Sequence, residues 1–163
     1  MGDRNRFQVT ADFIATNFSP CRVADVAGGT GQLSFLLAQR GFTCDIVDPR
    51  ETDLPKESRV LARRSRLPIR RIQSNFGHEM AEQYDLAVGL HPDGATLEIC
   101  HSAKYVPVVI VPCCKINFND ICTHGADNLT DAVRRYFKRE HIPFWESTLK
   151  MQGKNTVFVT EVR

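Results

Sequence analysis

No apolar stretch in the chain is long enough to cross a bilayer. The longest, Val106 to Cys114, falls far short of the roughly 18 residues that a membrane helix requires. The charged opening Met1-Gly2-Asp3-Arg4-Asn5-Arg6 leads into no apolar signal core, so a soluble, intracellular, cytoplasmic protein is expected. Cys-x-x-Cys pairs are missing as well. The six cysteines (Cys21, Cys44, Cys100, Cys113, Cys114, Cys122) are scattered through a chain without secretory features and are expected as reduced thiols. Adjacent Cys113 and Cys114, followed by Cys122 and His124, match no common zinc spacing, and no metal is expected. A strong net charge is also absent, the formal value being only +2. With 163 residues, 42% hydrophobic and 25% charged, residues 1–163 read as a single globular domain able to bury a core.

Two nucleotide-binding signatures are lacking. A phosphate-gripping loop ends in Gly-Lys-Ser/Thr, whereas Gly31 is followed by Gln32-Leu33, which argues against an ATPase. A dinucleotide fingerprint needs a third glycine, and Gly29-Thr30-Gly31-Gln32-Leu33-Ser34 has serine there. What is present is an apolar run from Val23 to Val26, a glycine-rich turn from Ala27 to Gly31, and an apolar-periodic segment from Leu33 to Ala38. The pattern predicts strand, tight loop and helix, a loop that lets a ligand approach the backbone because glycine has no Cβ. A second strand-like run, Thr43 to Val47, ends in Asp48. That places a carboxylate at the carboxyl edge of the neighbouring strand, where a ribose diol needs an acceptor. Together these features describe a nucleoside site.

The remaining chain alternates in the same way. Phe7, Ala11, Phe13, Ile14 and Phe18 predict an opening amphipathic helix that Ser19-Pro20 terminates. Strands are expected at 22–26 and 43–47, with a helix from Gln32 to Arg40 stopped by Gly41. A short helix at Ser58 to Arg66 and a weak strand at Ile69 to Gln73 follow. Further strands are read at Tyr84 to Leu90 and Val106 to Val111, with a helical stretch through Ala103 between them. Leu129 to Arg139 reads as a helix, and Pro143 to Lys150 with Thr156 to Val162 as a hairpin around Gln152-Gly153. Charge is unevenly spread: Arg59, Arg63, Arg64, Arg66, Arg70 and Arg71 cluster, as do Arg134, Arg135, Lys138 and Arg139. Each cluster is either an electrostatic footprint for nucleic acid or a solvated helix face.

Asp25-Val26-Ala27-Gly28-Gly29-Thr30-Gly31 resembles motif I of class I S-adenosylmethionine (SAM) methyltransferases, acidic-x-Gly-x-Gly-x-Gly, with Ala27 in the first glycine position. Its wording is similar to that of quinone-biosynthesis C-methyltransferases. The resemblance implies an α/β, Rossmann-like seven-stranded sheet of order 3-2-1-4-5-7-6, last strand antiparallel, with helices on both faces. It also implies SAM as cofactor, held by Asp25, Ala27, Gly28, Gly29, Gly31 and Asp48. Asn75 and Phe76 sit where such enzymes usually place a polar and an apolar residue against the adenine, although a turn and a core phenylalanine account for the pair as well. A dehydrogenase fits less well, because it needs a substrate-binding segment after its nucleotide half.

In open α/β sheets ligands bind beyond the carboxyl ends of the strands, so the methyl acceptor is expected at the loop His91 to Thr96. Histidine is the usual side chain for accepting a proton near neutrality, which makes His91 the candidate general base and Asp93 its orienting or acceptor-binding partner. The alternative is a turn histidine held by backbone. The Asn/Asp-Pro-Pro-aromatic loop of exocyclic amino methyltransferases is absent here. Gly89-Leu90-His91-Pro92-Asp93-Gly94-Ala95-Thr96 with Pro112-Cys113-Cys114 is instead similar to the His-containing loop and Pro-Cys-Cys signature of a methyltransferase-domain family, itself distantly similar to tRNA ribose 2′-O-methyltransferases. Pro92 and Asp93 depart from that loop. Two classes stay open: an active methyltransferase, with RNA held through Arg59 to Arg71 as a candidate acceptor, or a degenerate SAM-binding domain serving as a partner module.

Overall fold

The computed structural model describes residues 3–113 and 128–161. Cys114, Cys122 and His124 lie outside the described residues, so the Pro-Cys-Cys signature is seen only through Pro112 and buried Cys113. Strands β1 (Arg22–Val26), β2 (Thr43–Val47), β3 (Ile69–Ile72), β4 (Leu86–Leu90), β5 (Val108–Val111), β6 (Phe144–Thr148) and β7 (Thr156–Thr160) form one sheet. Their order is β3-β2-β1-β4-β5-β7-β6, the expected one. Strands β1 to β5 pair in parallel, whereas β7 runs antiparallel to both β5 and β6.

The period-2 alternation of each strand divides the core in two. Val23, Leu86, Val88, Val109 and Val111 face helices α1 (Arg6–Asn17) and α2 (Gln32–Ala38), where they meet Ala11, Ile14, Leu33 and Leu37. Ala24, Val26, Ala87, Val108 and Ile110 face the other way, toward Ile99 of α4 (Thr96–Ser102) and Val133 and Phe137 of α5 (Leu129–Arg139). Helices on both faces are what a buried parallel sheet requires. No described helix is long and apolar enough to cross a membrane.

The boundaries shift where local hydrogen bonding overrides periodicity. Strand β4 begins at Leu86, not Tyr84, because the Tyr84 hydroxyl turns to donate to Asp45 at 3.1 Å and Asp85 accepts from the Arg22 amide at 2.8 Å. Strand β5 begins at Val108, since the Val106 amide donates back to Ser102 and Pro107 has no N–H for a ladder. Helix α3 (Lys56–Arg64) starts earlier than expected, behind Pro55, and Arg66 has left it with a φ of +50°. None of the α3 residues is buried.

The register places the ends that matter side by side. Val26 lies opposite Val47, and the turn that leaves β1 is stitched to β2 by the Ala27 amide donating to the Val47 carbonyl. Beyond β4, the His91 amide donates to the carbonyl of Val111 at the end of β5. The loops after β1, β2 and β4 therefore emerge together on one edge of the sheet.

Candidate functional site

Asp25 points from β1 into the turn and is 1% exposed. Its carboxylate accepts from Ser34 Oγ of α2 at 2.7 Å. A Cβ on Gly28 would lie 2.7 Å from both Asp25 Cγ and Oδ2, so the loop passes over the carboxylate too closely for any side chain. Gly29 and Gly31 have φ values of +55° and +86°, and Ala27 has +52°. Ala27 thus occupies the left-handed region at the motif position where glycine is usual, at a cost of about 1–2 kcal/mol. The loop is fixed at Gly29: its N–H donates to Asp48 at 2.9 Å, and its carbonyl accepts from Thr52 Oγ1 at 2.7 Å and Arg71 Nη2 at 2.9 Å.

Asp48 is fully buried. Besides Gly29 it receives the Arg50 backbone N–H at 2.9 Å and the guanidinium through Nε at 2.9 Å and Nη2 at 2.8 Å. These Arg50 bonds, with the backbone donors, hold the carboxyl at about 2 against the effect of burial. Four donors fill the acceptor sites of one carboxylate. The sequence placed Asp48 correctly at the end of β2 but gave no sign that Arg50 would close over it.

Two cavities flank this point. The larger, about 640 Å³, is lined by Val47, Asp48, Asn75, Phe76, His78 and Glu98 among others. Its volume lies within the ~300–1,000 Å³ typical of small-molecule sites. Asn75 is exposed, whereas Phe76 is 5% exposed and belongs to the core while also lining this cavity. The second cavity, about 410 Å³, is lined by Arg6 and Phe7 of α1, Asp25, Gly28, Gly29 and His91. Ala27, Arg50 and Asp93 line both. All ten sequence-named site residues fall close to this pair of cavities; Gly31 lies just behind the loop, where an added Cβ would meet Ile46 Cδ1.

His91 is half-buried, with Nε2 3.0 Å from the Lys154 carbonyl in the β6–β7 connection. A carbonyl only accepts, so Nε2 carries the proton and Nδ1 keeps a lone pair in the neutral ring. Both His91 (φ +52°) and exposed Asp93 (φ +40°) have left-handed backbones, an unusual conformation for residues with side chains. Thr96 Oγ1 donates to the Asp93 carbonyl at 3.0 Å and braces the turn.

The basic clusters resolve unevenly. Arg134 pairs with Glu146, Arg135 with Asp131 and Arg139 with Glu140, so the α5 cluster is largely an ion-paired helix face. In the first cluster Arg59 pairs with Asp53, Arg70 with Asp45 and Arg71 with the glycine loop. Arg63, Arg64 and Arg66 make no ion pair among the described residues. Arg59, Arg63, Arg66 and Arg71 border a third cavity of about 280 Å³ that contains one carboxylate, Asp53.

No family model matches the sequence, and no curated protein matches it. Solved structures do share its architecture. The fold is that of class I methyltransferases. A SAM-dependent methyltransferase from Agrobacterium tumefaciens superposes with a TM-score of 0.59 and 16% identity over 95% of this chain and 61% of that one. Magnesium protoporphyrin IX methyltransferase from Synechocystis PCC 6803, with bound SAM, gives 0.64 and 17% over 98% and 81%. The 1,6-didemethyltoxoflavin-N1-methyltransferase of Burkholderia thailandensis, with bound S-adenosylhomocysteine, gives 0.57 and 14% over 97% and 77%. The chain thus spans less than two thirds of the Agrobacterium protein.

One consequence of the loop is measurable. Burial pushes the Asp25 carboxyl from 3.8 up to about 6, against the Ser34 hydrogen bonds. Between those values the folded protein holds a proton that the unfolded chain has released, so stability falls as pH rises through the interval. The fall is about 3 kcal/mol. Denaturant midpoints measured from pH 4 to pH 7 should decline for the wild type and stay flat by comparison in Asp25→Asn. Parallel curves for the two proteins would show that Asp25 does not carry the effect. The Asp48 contribution has the opposite sign and acts below 3.8, so it leaves this window clear.

Proposed function

We propose that the chain binds SAM across the two cavities and transfers its methyl group to an acceptor at the loop that follows β4. The observation that supports this most directly is the joining of a cavity of small-molecule size, bordered by Asp48, Asn75 and Phe76, to the glycine loop and His91 through Ala27, Arg50 and Asp93. The residues present fit the group. The loop offers backbone without side chains above Asp25, and the larger cavity combines a carboxylate, an amide and an aromatic face. SAM, once bound, supplies an activated methyl on a sulfonium leaving group. The protein's own task is then positioning and proton removal.

In this reading Asp48 accepts from the ribose hydroxyls after Arg50 gives way, which its 61% side-chain exposure permits. Asn75 and Phe76 take the adenine, while Asp25 and Gly28 to Gly31 shape the methionine end. His91 has its Nε2–H committed to Lys154 and its Nδ1 available to take a proton from a hydroxyl or amine acceptor. Asp93, exposed and shared by both cavities, holds the acceptor. Calorimetry with S-adenosylhomocysteine tests the cofactor half. Asp48→Ala should weaken binding about ten- to a hundredfold, a loss of roughly 1.5–3 kcal/mol for a charge-assisted hydrogen bond, whereas Arg50→Ala should not weaken it. Absence of binding by the folded wild type would end the proposal.

Whether the domain is catalyst or binder rests on His91. His91→Ala should slow single-turnover methyl transfer by about 10²- to 10⁴-fold while S-adenosylhomocysteine affinity is kept. Full turnover by a stable His91→Ala protein would instead assign the histidine to the hairpin contact alone.

A second reading concerns the partner. Four arginines around one small cavity, with Arg71 Nη1 buried and without a hydrogen-bond partner, favour an anionic ligand there, and RNA phosphate is the proposed class. Phosphate contacts give steep salt dependence and little sequence preference. Exchanging Arg63 and Arg66 for Gln should flatten the plot of log affinity against log salt by about one unit per lost contact. No RNA affinity at low salt would leave these arginines as a solvated surface.

A further inference from the structure

We propose that His78, Glu98 and His101 form a divalent transition-metal site of zinc type at the edge of the larger cavity, which His78 and Glu98 line. Glu98 and His101 are three residues apart on α4, which sets them on the same face of the helix. His78 opens the 3-10 turn His78–Gln83 and lies directly against that face. One ligand atom from each of the three lies within 4.8 Å of the others. Donors around a tetrahedral zinc ion are about 3.3 Å apart, so a shift of no more than ~1.5 Å closes the set. Side chains that are 39% exposed at His78 and 36% exposed at Glu98 have room to make it.

The surroundings hold the ligands in place for this. The His78 backbone N–H donates to Glu98 Oε2 at 2.9 Å, and His78 Nδ1 lies 2.8 Å from the same oxygen. The imidazoles of His78 and His101 meet edge to face at 5.2 Å, and Tyr105 stacks on His78 at 6.2 Å and 14°. A histidine–glutamate hydrogen bond alone would need only the first two residues. The His101 ring also packs against Tyr136 at 5.6 Å, which leaves its edge directed to the same spot as the other two donors. Two imidazole nitrogens and one carboxylate suit zinc and its transition-metal neighbours; calcium and magnesium require oxygen throughout. Three protein ligands leave a coordination position open, and His78 and Glu98 border the cavity, so that position is available to a water or a small ligand. The inference does not rest on SAM binding: all three ligands are protein side chains, although His78 and Glu98 also border the cavity proposed above for the adenosine.

The test is cobalt(II) titration of the full chain, followed by visible d–d absorption, with zinc affinity measured by competition against a chromophoric chelator. One equivalent should bind with nitrogen- and oxygen-type spectra and no thiolate charge-transfer band. Glu98→Gln and His101→Ala, each checked for an unchanged melting temperature without metal, should lose at least about tenfold in affinity. His141→Asn, away from the cluster, should bind as the wild type does. Equal affinity in Glu98→Gln and His101→Ala, a thiolate band, or no binding by the wild type would each overturn the assignment.

Discussion

The structure depends on a loop that passes over a buried carboxylate. Asp25 sits in the first strand with its charge-bearing group removed from water, and the chain turns above it at a distance that admits no Cβ at Gly28. Isolated, such a carboxylate would favour its protonated form, and the Ser34 hydroxyl is what lets it serve as an acceptor inside the fold. The same serine lies in the first turn of α2, so the carboxylate fixes where that helix starts. From there the loop is tied outward through Gly29 to β2 by Asp48, to the following loop by Thr52, and to β3 by Arg71. One backbone residue thus ties the glycine loop to three other parts of the sheet edge.

This explains which parts of the molecule were legible in the sequence. The strand, turn and helix from Arg22 to Ala38 follow from local chemistry, since the apolar alternation, the glycines and the acidic residue are within a few residues of one another. The strand order could be drawn from the family resemblance, and the hairpin from its turn residues. Less legible were features set by distant partners. Arg71 reads as one more charge in a basic run, yet its guanidinium supports the glycine loop 42 positions earlier. Arg70 and Asp45 are likewise separated in the chain but adjacent in the parallel register, where Asp45 also accepts from Arg22 and Tyr84. Burial acts to raise the Asp45 carboxyl, and these bonds outweigh it, leaving the group below its usual value. A linear charge count cannot separate such arginines from those that face solvent.

The candidate site shows the same division. Asp48, His91 and Asp93 could be named because strand ends mark ligand-binding edges in open α/β sheets, and Asn75 because of the family resemblance; all four lie on the cavities. Arg50, which covers Asp48, and His78 with Glu98, which border the larger cavity, were not singled out. The available signal was the Glu98-x-x-His101 spacing, which places two ligand-type residues on one helical face, but its third member arrives from a 3-10 turn twenty residues before Glu98.

The loop after β4 joins these considerations. Gly89 at the strand end packs so tightly against Ile99 and Pro92 that a Cβ there would come within 2.3 Å of Ile99 Cδ1. Immediately beyond it, His91 and Asp93 both hold left-handed backbones, which cost about 1–2 kcal/mol each where a side chain is present. Strain of this kind persists only where the surroundings over-determine it. Here the fixing contacts are the Val111 carbonyl on the His91 amide, the Lys154 carbonyl on its ring, and the Thr96 hydroxyl on the Asp93 carbonyl. The second of these comes from the β6–β7 hairpin, the part of the sheet that distinguishes this topology from other doubly wound folds. The antiparallel seventh strand therefore does more than complete the sheet: its connection reaches back 63 positions to orient the imidazole that, among the described residues, lines the cavity beside the glycine loop.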